Sequence, residues 1–480
     1  MSVTIPTRAQ FPEDFVWGTA TASYQIEGSV AADGREPSIW DIFAARPGAI
    51  IDGSTGEPAD DHYRRFREDI ALMADLGVDA YRFSLAWPRI QPGGRGAVAH
   101  AGIDFYRRLS EELLAQGITP WATLYHWDLP QALEEGGGWL ERDTAHRFAE
   151  YAALAADGLG DLVKNWITLN EPWCSAFLGY ASGVHAPGRQ EGSSSMHAAH
   201  HLLLAHGFGV AELRERVPDA SVGVTLNLYS VRPASSSESD ADAARRIDGL
   251  SNRLFLEPLL RGEYPADVLA DTGEAVWFDE HASREDLEVI SAPIDFLGIN
   301  YYSRHTVAAA ATAEGAGTTD AAGSDARTAR ASAYPGSEDV DFVGTDAPRT
   351  QMGWEIHPDG MLDVLEMSNA IAPRLPLFIT ENGSAYEDVV AEDGTVDDPG
   401  RTQYLQQHVD ACAVAVRRGL PLGGYFAWSL MDNFEWSWGY SRRFGLVHVD
   451  YETQKRTPKR SALWFSDFLG GALAEDADAN

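Results

Sequence analysis

The sequence predicts an α/β protein, a single (β/α)8 TIM barrel with extended βα loops. Three observations predict it. A helix–Gly–apolar-run unit recurs along the chain, eight apolar runs can be counted, and polar and aromatic residues gather at the C-terminal ends of those runs. The recurring unit is an amphipathic helix that stops at Gly, a short link, and then a strand-like run. Phe66, Ile70, Met73 and Leu76 share a helical face before Gly77, and AYRFSL follows. Phe105, Leu109 and Leu113 precede Gly117 and TPWATLYHW. Phe148, Tyr151 and Leu154 precede Gly158 and VKNWITLNEP. Leu405, Val409, Cys412 and Val416 precede Gly419 and GGYFAWSL. Gly ends helices because it takes positive φ without strain.

The eight candidate strands are 15–20, 80–85, 119–127, 163–172, 221–230, 294–302, 375–383 and 425–433. Strands alternating with helices imply a parallel sheet. A doubly wound sheet is the alternative to a barrel. The barrel is favoured by the polar residues at nearly every strand end, because barrel enzymes build their sites at that rim. No domain boundary is visible, so 1–480 reads as one catalytic domain. The stretch at about 307–344, rich in Ala, Gly, Ser, Thr and Asp, reads as a long mobile loop over the barrel mouth. The segment AEDADAN, 474–480, reads as a disordered acidic tail.

Bulk properties narrow the function. The chain has 480 residues, 44% of them hydrophobic, enough for a large core. Its formal charge of −35 repels nucleic acid and anionic membranes and suits a neutral ligand. Two cysteines, Cys174 and Cys412, exclude a disulfide framework. The segment MSVTIPTRAQFPEDF carries no signal-like apolar run, and no window is apolar enough to span a membrane. Cytoplasm is the expected location, and a homo-oligomer is compatible with everything above.

Chemistry concentrates in two strand ends. The fourth strand ends Thr168-Leu169-Asn170-Glu171-Pro172, and the seventh Ile379-Thr380-Glu381-Asn382-Gly383. Strands four and seven of eight face each other across a barrel mouth, so the two carboxyls can converge on one bond. A lone Glu at a strand end is usually a salt-bridge partner. Two converging buried carboxyls need a functional reason, and glycosidic hydrolysis uses such a pair.

The chain resembles the β-glucosidases of glycoside hydrolase family 1 along its whole length. The matching motifs are FVWGTATASYQIEG, YHWDLPQALE, TLNEP, HAPG, NYYS, MGWEI, ITENG and WSLMDNFEWSWGYSRRFGL. The resemblance implies retention of configuration, with Glu171 as acid/base and Glu381 as nucleophile. It implies that Arg82, Tyr302 and Asn300 support the nucleophile. Arg82 should lower the pKa of Glu381 and hold it ionised, whereas burial and that anion should raise Glu171. Gln25, His126, Trp127, Asn170, Glu435 and Trp436 are implied to bind sugar hydroxyls, Asn170 at the 2-hydroxyl, and Trp428 to lie under the ring. Trp173, Leu178, His185 and Trp354 are implied to line the leaving-group side. The implied substrate is a small β-glycoside carrying a terminal β-D-glucosyl residue, cellobiose included.

Rival readings within the family are a 6-phospho-β-glucosidase and a β-galactosidase or β-fucosidase. The charge of Glu435, expected at O4 and O6, argues against a phosphate. A thioglucosidase would carry Gln in place of Glu171. A noncatalytic sugar-binding barrel would lack one of the two carboxyls. No nucleotide-binding glycine motif occurs, and no cofactor or metal is expected. His197, His200, His201 and His206 read as structural helix residues, and Cys174 as a small buried filler.

Overall fold

The structure is a computed structural model, and it describes residues 5–310 and 331–472. Eight parallel strands close a barrel: β1 (Val16–Ala20), β2 (Ala80–Ser84), β3 (Thr119–Tyr125), β4 (Asn165–Asn170), β5 (Ser221–Asn227), β6 (Phe296–Asn300), β7 (Leu377–Asn382) and β8 (Leu422–Trp428). They neighbour each other in chain order, and β1 closes the ring by pairing with both β2 and β8. Each of the first seven predicted runs contains one of them, and the eighth overlaps its strand. The eighth begins and ends earlier than its sequence suggested, because MDNFEW leaves the barrel as a loop.

The helices bury the faces their periodicity marks. His62–Leu76 buries Phe66, Ile70, Met73 and Leu76, and Gly77, at φ 76°, donates to the carbonyls of Met73 and Ala74. Gly158 departs from the expected role of stop signal, since it lies inside Asp143–Leu159. A Cβ there would come within 2.8 Å of the Ile103 side chain, so this glycine permits close helix packing.

The barrel is plugged from below by aromatic rings. Trp121 meets Phe296, Phe378 and Phe426 at centroid distances of 5.1, 5.0 and 5.2 Å. Glycines on the neighbouring strands, in register with the phenylalanines, make the room. A Cβ on Gly18 would sit 2.4 Å from Phe426, and one on Gly223 2.5 Å from Phe296. An apolar plug leaves the opposite, C-terminal rim as the place where polar side chains meet.

The stretch at 307–344 differs from the expected loop at both ends. Arg304–Ala309 and Val340–Phe342 pair antiparallel, and Ser230–Pro233 runs parallel to the first, giving a small three-stranded sheet. His305 and Val307 alternate inward along it, which is the two-residue period of a half-buried strand. Residues 311–330 of that stretch and the acidic segment 474–480 lie outside the described residues. Among the described residues, no helix is long and apolar enough to cross a membrane.

Candidate active site

Glu171 follows the last residue of β4, and Glu381 lies on β7. Both strands change register just before the carboxylate: β4 against β5 between Ile167 and Asn170, β7 against β6 between Ile379 and Glu381. Such irregularities re-aim a side chain at a strand end. Glu171 also has φ 48°, as rare for a non-glycine residue as the φ 77° of Trp127 and the φ 47° of Trp436. All three face one cleft of about 770 Å³, counting the space open to solvent at its mouth. Left-handed backbone costs about 1–3 kcal/mol and persists where surrounding structure enforces it, often at functional sites.

Glu381 is held at both oxygens. Arg82 Nη1 donates to Oε1 at 2.6 Å, and Tyr302 OH donates to Oε2 at 2.7 Å. Arg82 is itself fixed, donating from Nη2 to Asn170 Oδ1 at 2.5 Å, from Nη1 to the Thr380 carbonyl at 3.1 Å and from Nε to Thr123 Oγ1 at 3.2 Å. Asn300 Nδ2 donates to Glu171 Oε1 at 2.6 Å and to Asn170 Oδ1 at 3.1 Å. Its own Oδ1 accepts from Thr380 Oγ1 at 2.8 Å. Asn300 thus orients the Glu171 carboxyl directly, a contact the sequence reading had not assigned to it.

Burial pushes the Glu171 carboxyl well above the usual range, and the nearby Glu381 anion pushes it further, against Asn300, Cys174 and Arg82. The expected lowering of Glu381 is not what the site gives. Burial raises it too, and Arg82 and Tyr302 work against that rise. Glu381 is the carboxyl with a cation in direct contact, so the asymmetry between the two still favours Glu381 as the anion.

Asn170 Nδ2 donates to His126 Nε2 at 3.1 Å, and the Asn170 carbonyl accepts from Trp127 Nε1 at 3.0 Å. Burial and then Arg82 depress the His126 pKa, so the ring is neutral and can accept at Nε2. Gln25 is fully buried, its Nε2 donating to Asn433 Oδ1 and the Phe434 carbonyl while Oε1 has no donor. Trp428 and Trp436 both stack on His126, with centroids 5.8 Å away in each case. Glu435 departs from the expected carboxylate. Burial, then Glu381 and Glu171, push it up to about 8, and its Oε2 has no hydrogen-bond donor.

Trp173, Leu178, His185 and Trp354 line the same cleft. Tyr334 packs on Trp173 at 5.3 Å between centroids, so the small sheet's connection reaches this wall. Of the predicted residues, Arg82, Asn170 and Gln25 do not line the cleft; they are buried around those that do. Sequence reasoning missed Cys174, Asn227, Leu228, Tyr229, Met352, Trp438 and Phe444 among the lining residues. Asn227 and Tyr229 were findable by the rim rule, since NLY closes the fifth run just as NEP closes the fourth.

The four helix histidines are held separately. His197 pairs with Glu274, His200 meets Tyr264 OH, His201 the Trp139 carbonyl and His206 Thr168 Oγ1. Cys174 is more than filler, because its thiol donates to Glu171 Oε2 at 3.1 Å.

Residues 7–471 match the model of glycosyl hydrolase family 1. The chain belongs to that family. It is 46% identical to β-glucosidase A of Thermotoga maritima, over 97% of this chain and 99% of that protein. It is 47% identical to a bifunctional β-D-glucosidase/β-D-fucosidase of Bifidobacterium breve, over 96% and 98% of the two. Among solved structures, a psychrophilic β-glucosidase from Micrococcus antarcticus superposes with a TM-score of 0.91 at 48% identity, covering 97% of this chain and 99% of that one. The Thermotoga maritima family 1 enzyme, solved with isofagomine lactam, superposes at 0.88 and 46%, over 96% and 98%.

Proposed function

We propose that this family 1 chain is a retaining β-glucosidase in which Glu381 is the nucleophile and Glu171 the acid/base. Its substrates are terminal nonreducing β-D-glucosyl residues of β-glucosides and short oligosaccharides such as cellobiose. The observation that carries the role assignment is the unequal support of the two carboxyls. Glu381 contacts a guanidinium and a phenol, and Glu171 contacts an amide and a thiol. Glu381 attacks the anomeric carbon while the Glu171 proton passes to the leaving oxygen. A glycosyl-enzyme forms, the Glu381 charge is consumed, and the electrostatic pressure on Glu171 falls. Glu171 is then a carboxylate that takes a proton from water as the water attacks, which releases the sugar with retained configuration.

Sugar recognition in this reading falls to Gln25, His126, Trp127, Asn170, Glu435 and Trp436, over Trp428 as the plate. Trp173, Leu178, His185 and Trp354 receive the leaving group. A side activity on β-fucosides is supported by the bifunctional Bifidobacterium breve relative. D-Fucose, which is 6-deoxy-D-galactose, differs from glucose by the missing 6-hydroxyl and the inverted 4-hydroxyl, the two groups this reading assigns to Glu435. Cytoplasmic residence is supported by two free, buried thiols, which suit a reducing compartment.

The test is Glu381→Gly. It abolishes hydrolysis of p-nitrophenyl β-glucoside, and added azide restores turnover with α-glucosyl azide as product. Wild-type-like hydrolysis by the verified variant would remove Glu381 from the role.

A further inference from the structure

The two oxygens of Glu171 are held by donors of different strength. Oε1 takes the Asn300 amide at 2.6 Å, and Oε2 takes the Cys174 thiol at 3.1 Å. The backbone puts that thiol there. Glu171 leaves β4 at positive φ, the Cys174 N–H donates to the Glu171 carbonyl at 3.0 Å, and a π-helical turn runs over Cys174–Leu178. The side chain three residues on therefore folds back over its own carboxylate. Sulfur is oriented from its other side by Asn227, whose Nδ2 donates to Sγ at 3.7 Å. Asn227 ends β5 and lines the cleft beside Cys174. Burial pushes the thiol far above its usual range, and the Glu171 charge adds to this, so sulfur keeps its hydrogen and stays a donor.

We propose that Cys174 is a positioning residue for the acid/base, its Asn227-oriented thiol fixing Glu171 Oε2 and weakly stabilising the carboxylate form. The proposal rests on the assignment of Glu171 above. Its chemical sense lies in the weakness of the donor. Glu171 must be protonated in the free enzyme and ionised in the glycosyl-enzyme. A strong donor on Oε2 would favour the carboxylate throughout and deplete the acid. No donor would leave Oε2 unpaired in a buried site and favour the acid throughout. A thiol sits between the two, and its hydrogen can turn away when Oε2 carries the proton.

The prediction is an order. The basic limb of kcat/KM against pH reports the acid/base in the free enzyme. With p-nitrophenyl β-glucoside, Cys174→Ala moves that limb up by about half a unit, and Cys174→Ser moves it down by a similar amount. Cys174→Val, which fills the space without a donor, moves it up like Ala. Unmoved limbs, or Ser and Ala shifting together, overturn the proposal. Glu171→Ala is run alongside and loses the basic limb. Its persistence there would sink the acid/base assignment itself, a failure distinct from unshifted Cys174 variants. A reading on the unmutated enzyme does not depend on variants folding. The infrared S–H stretch of Cys174 falls in frequency as pH rises through the basic limb, while that of buried Cys412 stays constant. A Cys174 band that does not move with Glu171 ionisation also overturns the proposal.

Discussion

Three carboxyls, Glu171, Glu381 and Glu435, share one cleft, and Arg82, buried behind its lining, is in direct contact with Glu381. Position was legible for each, because strand-end motifs and the segment after β8 name the residues. Protonation was legible for Glu171 but not for Glu381 and Glu435, since burial is a property of the fold and outweighs single partners there. Glu435 shows the consequence. In the free enzyme its carboxyl titrates at about 8 and holds a proton at neutral pH. A sugar whose hydroxyls donate to it stabilises the carboxylate, and charge-assisted bonds of this kind are roughly twice as strong as neutral ones. Binding therefore lowers the Glu435 pKa. Glucose binding at pH 7 thus releases protons, up to one per site, and affinity rises with pH until about 8. Calorimetry in two buffers of different ionisation enthalpy measures the release directly. Glu435→Gln, which cannot ionise, removes that component. Equal proton release from the variant would assign it to Glu171 instead.

At the scale of elements, the strands were legible because a buried parallel strand reads as an apolar run between turn signals, and all eight did. What could not be read was the register change in β4 and in β7, since a bulge depends on which residue the neighbouring strand presents. The long stretch before residue 344 misled for a related reason. Its composition is that of a loop, yet its two ends pair with each other as strands and the first of them also pairs with Ser230–Pro233, a pairing set by tertiary contact. Beneath the carboxylates, the barrel interior carries a chain of side chains. Thr225 Oγ1 donates to Thr380 Oγ1 at 3.2 Å, Thr380 to Asn300, and Asn300 to Glu171. Gly298 of β6 leaves the space for that chain. A Cβ there would lie 2.3 Å from Thr225 Oγ1 and 2.8 Å from Thr380 Cγ2. Gly298→Ala therefore displaces both threonines and, through Asn300, the acid/base. Overpacking of this kind costs about 1–3 kcal/mol of stability. The variant should melt earlier and lose kcat/KM more on p-nitrophenyl glucoside than on the dinitrophenyl substrate, whose leaving group needs little protonation. Equal losses on the two would show that the chain does not serve Glu171.

At the scale of the whole molecule, charge decides. The net charge is −35, and of 37 cationic side chains only Lys164, Lys455 and Lys459 are lysines. The arginines are heavily paired. Arg245 meets Asp242, Asp267 and Asp271, and Arg253 shares Asp267. A buried network of Arg401 and Lys459 with Asp388, Asp398 and Asp432 joins the segments after β7 and β8. Pairing every cation once still leaves 35 acids without one, and these repel each other across the surface. Added salt acts on the two populations unequally. Exposed pairs are worth about 0–1 kcal/mol each and lose part of that, while the buried network is screened far less. The unmatched acids lose their long-range repulsion, which is the larger sum. The melting temperature should therefore rise between about 10 and 500 mM NaCl, the range over which the Debye length falls from roughly 30 Å to a few ångströms. Over the same range kcat/KM for a neutral aryl β-glucoside should stay nearly level, because a neutral substrate is not steered by the field. An anionic 6-phosphoglucoside, repelled at a distance by the surface, should be hydrolysed slowly, with a kcat/KM that climbs with salt. Differential scanning calorimetry and initial rates across one salt series read all three. A melting temperature that falls with the first increments of salt would mean that paired arginines outweigh the unmatched acids.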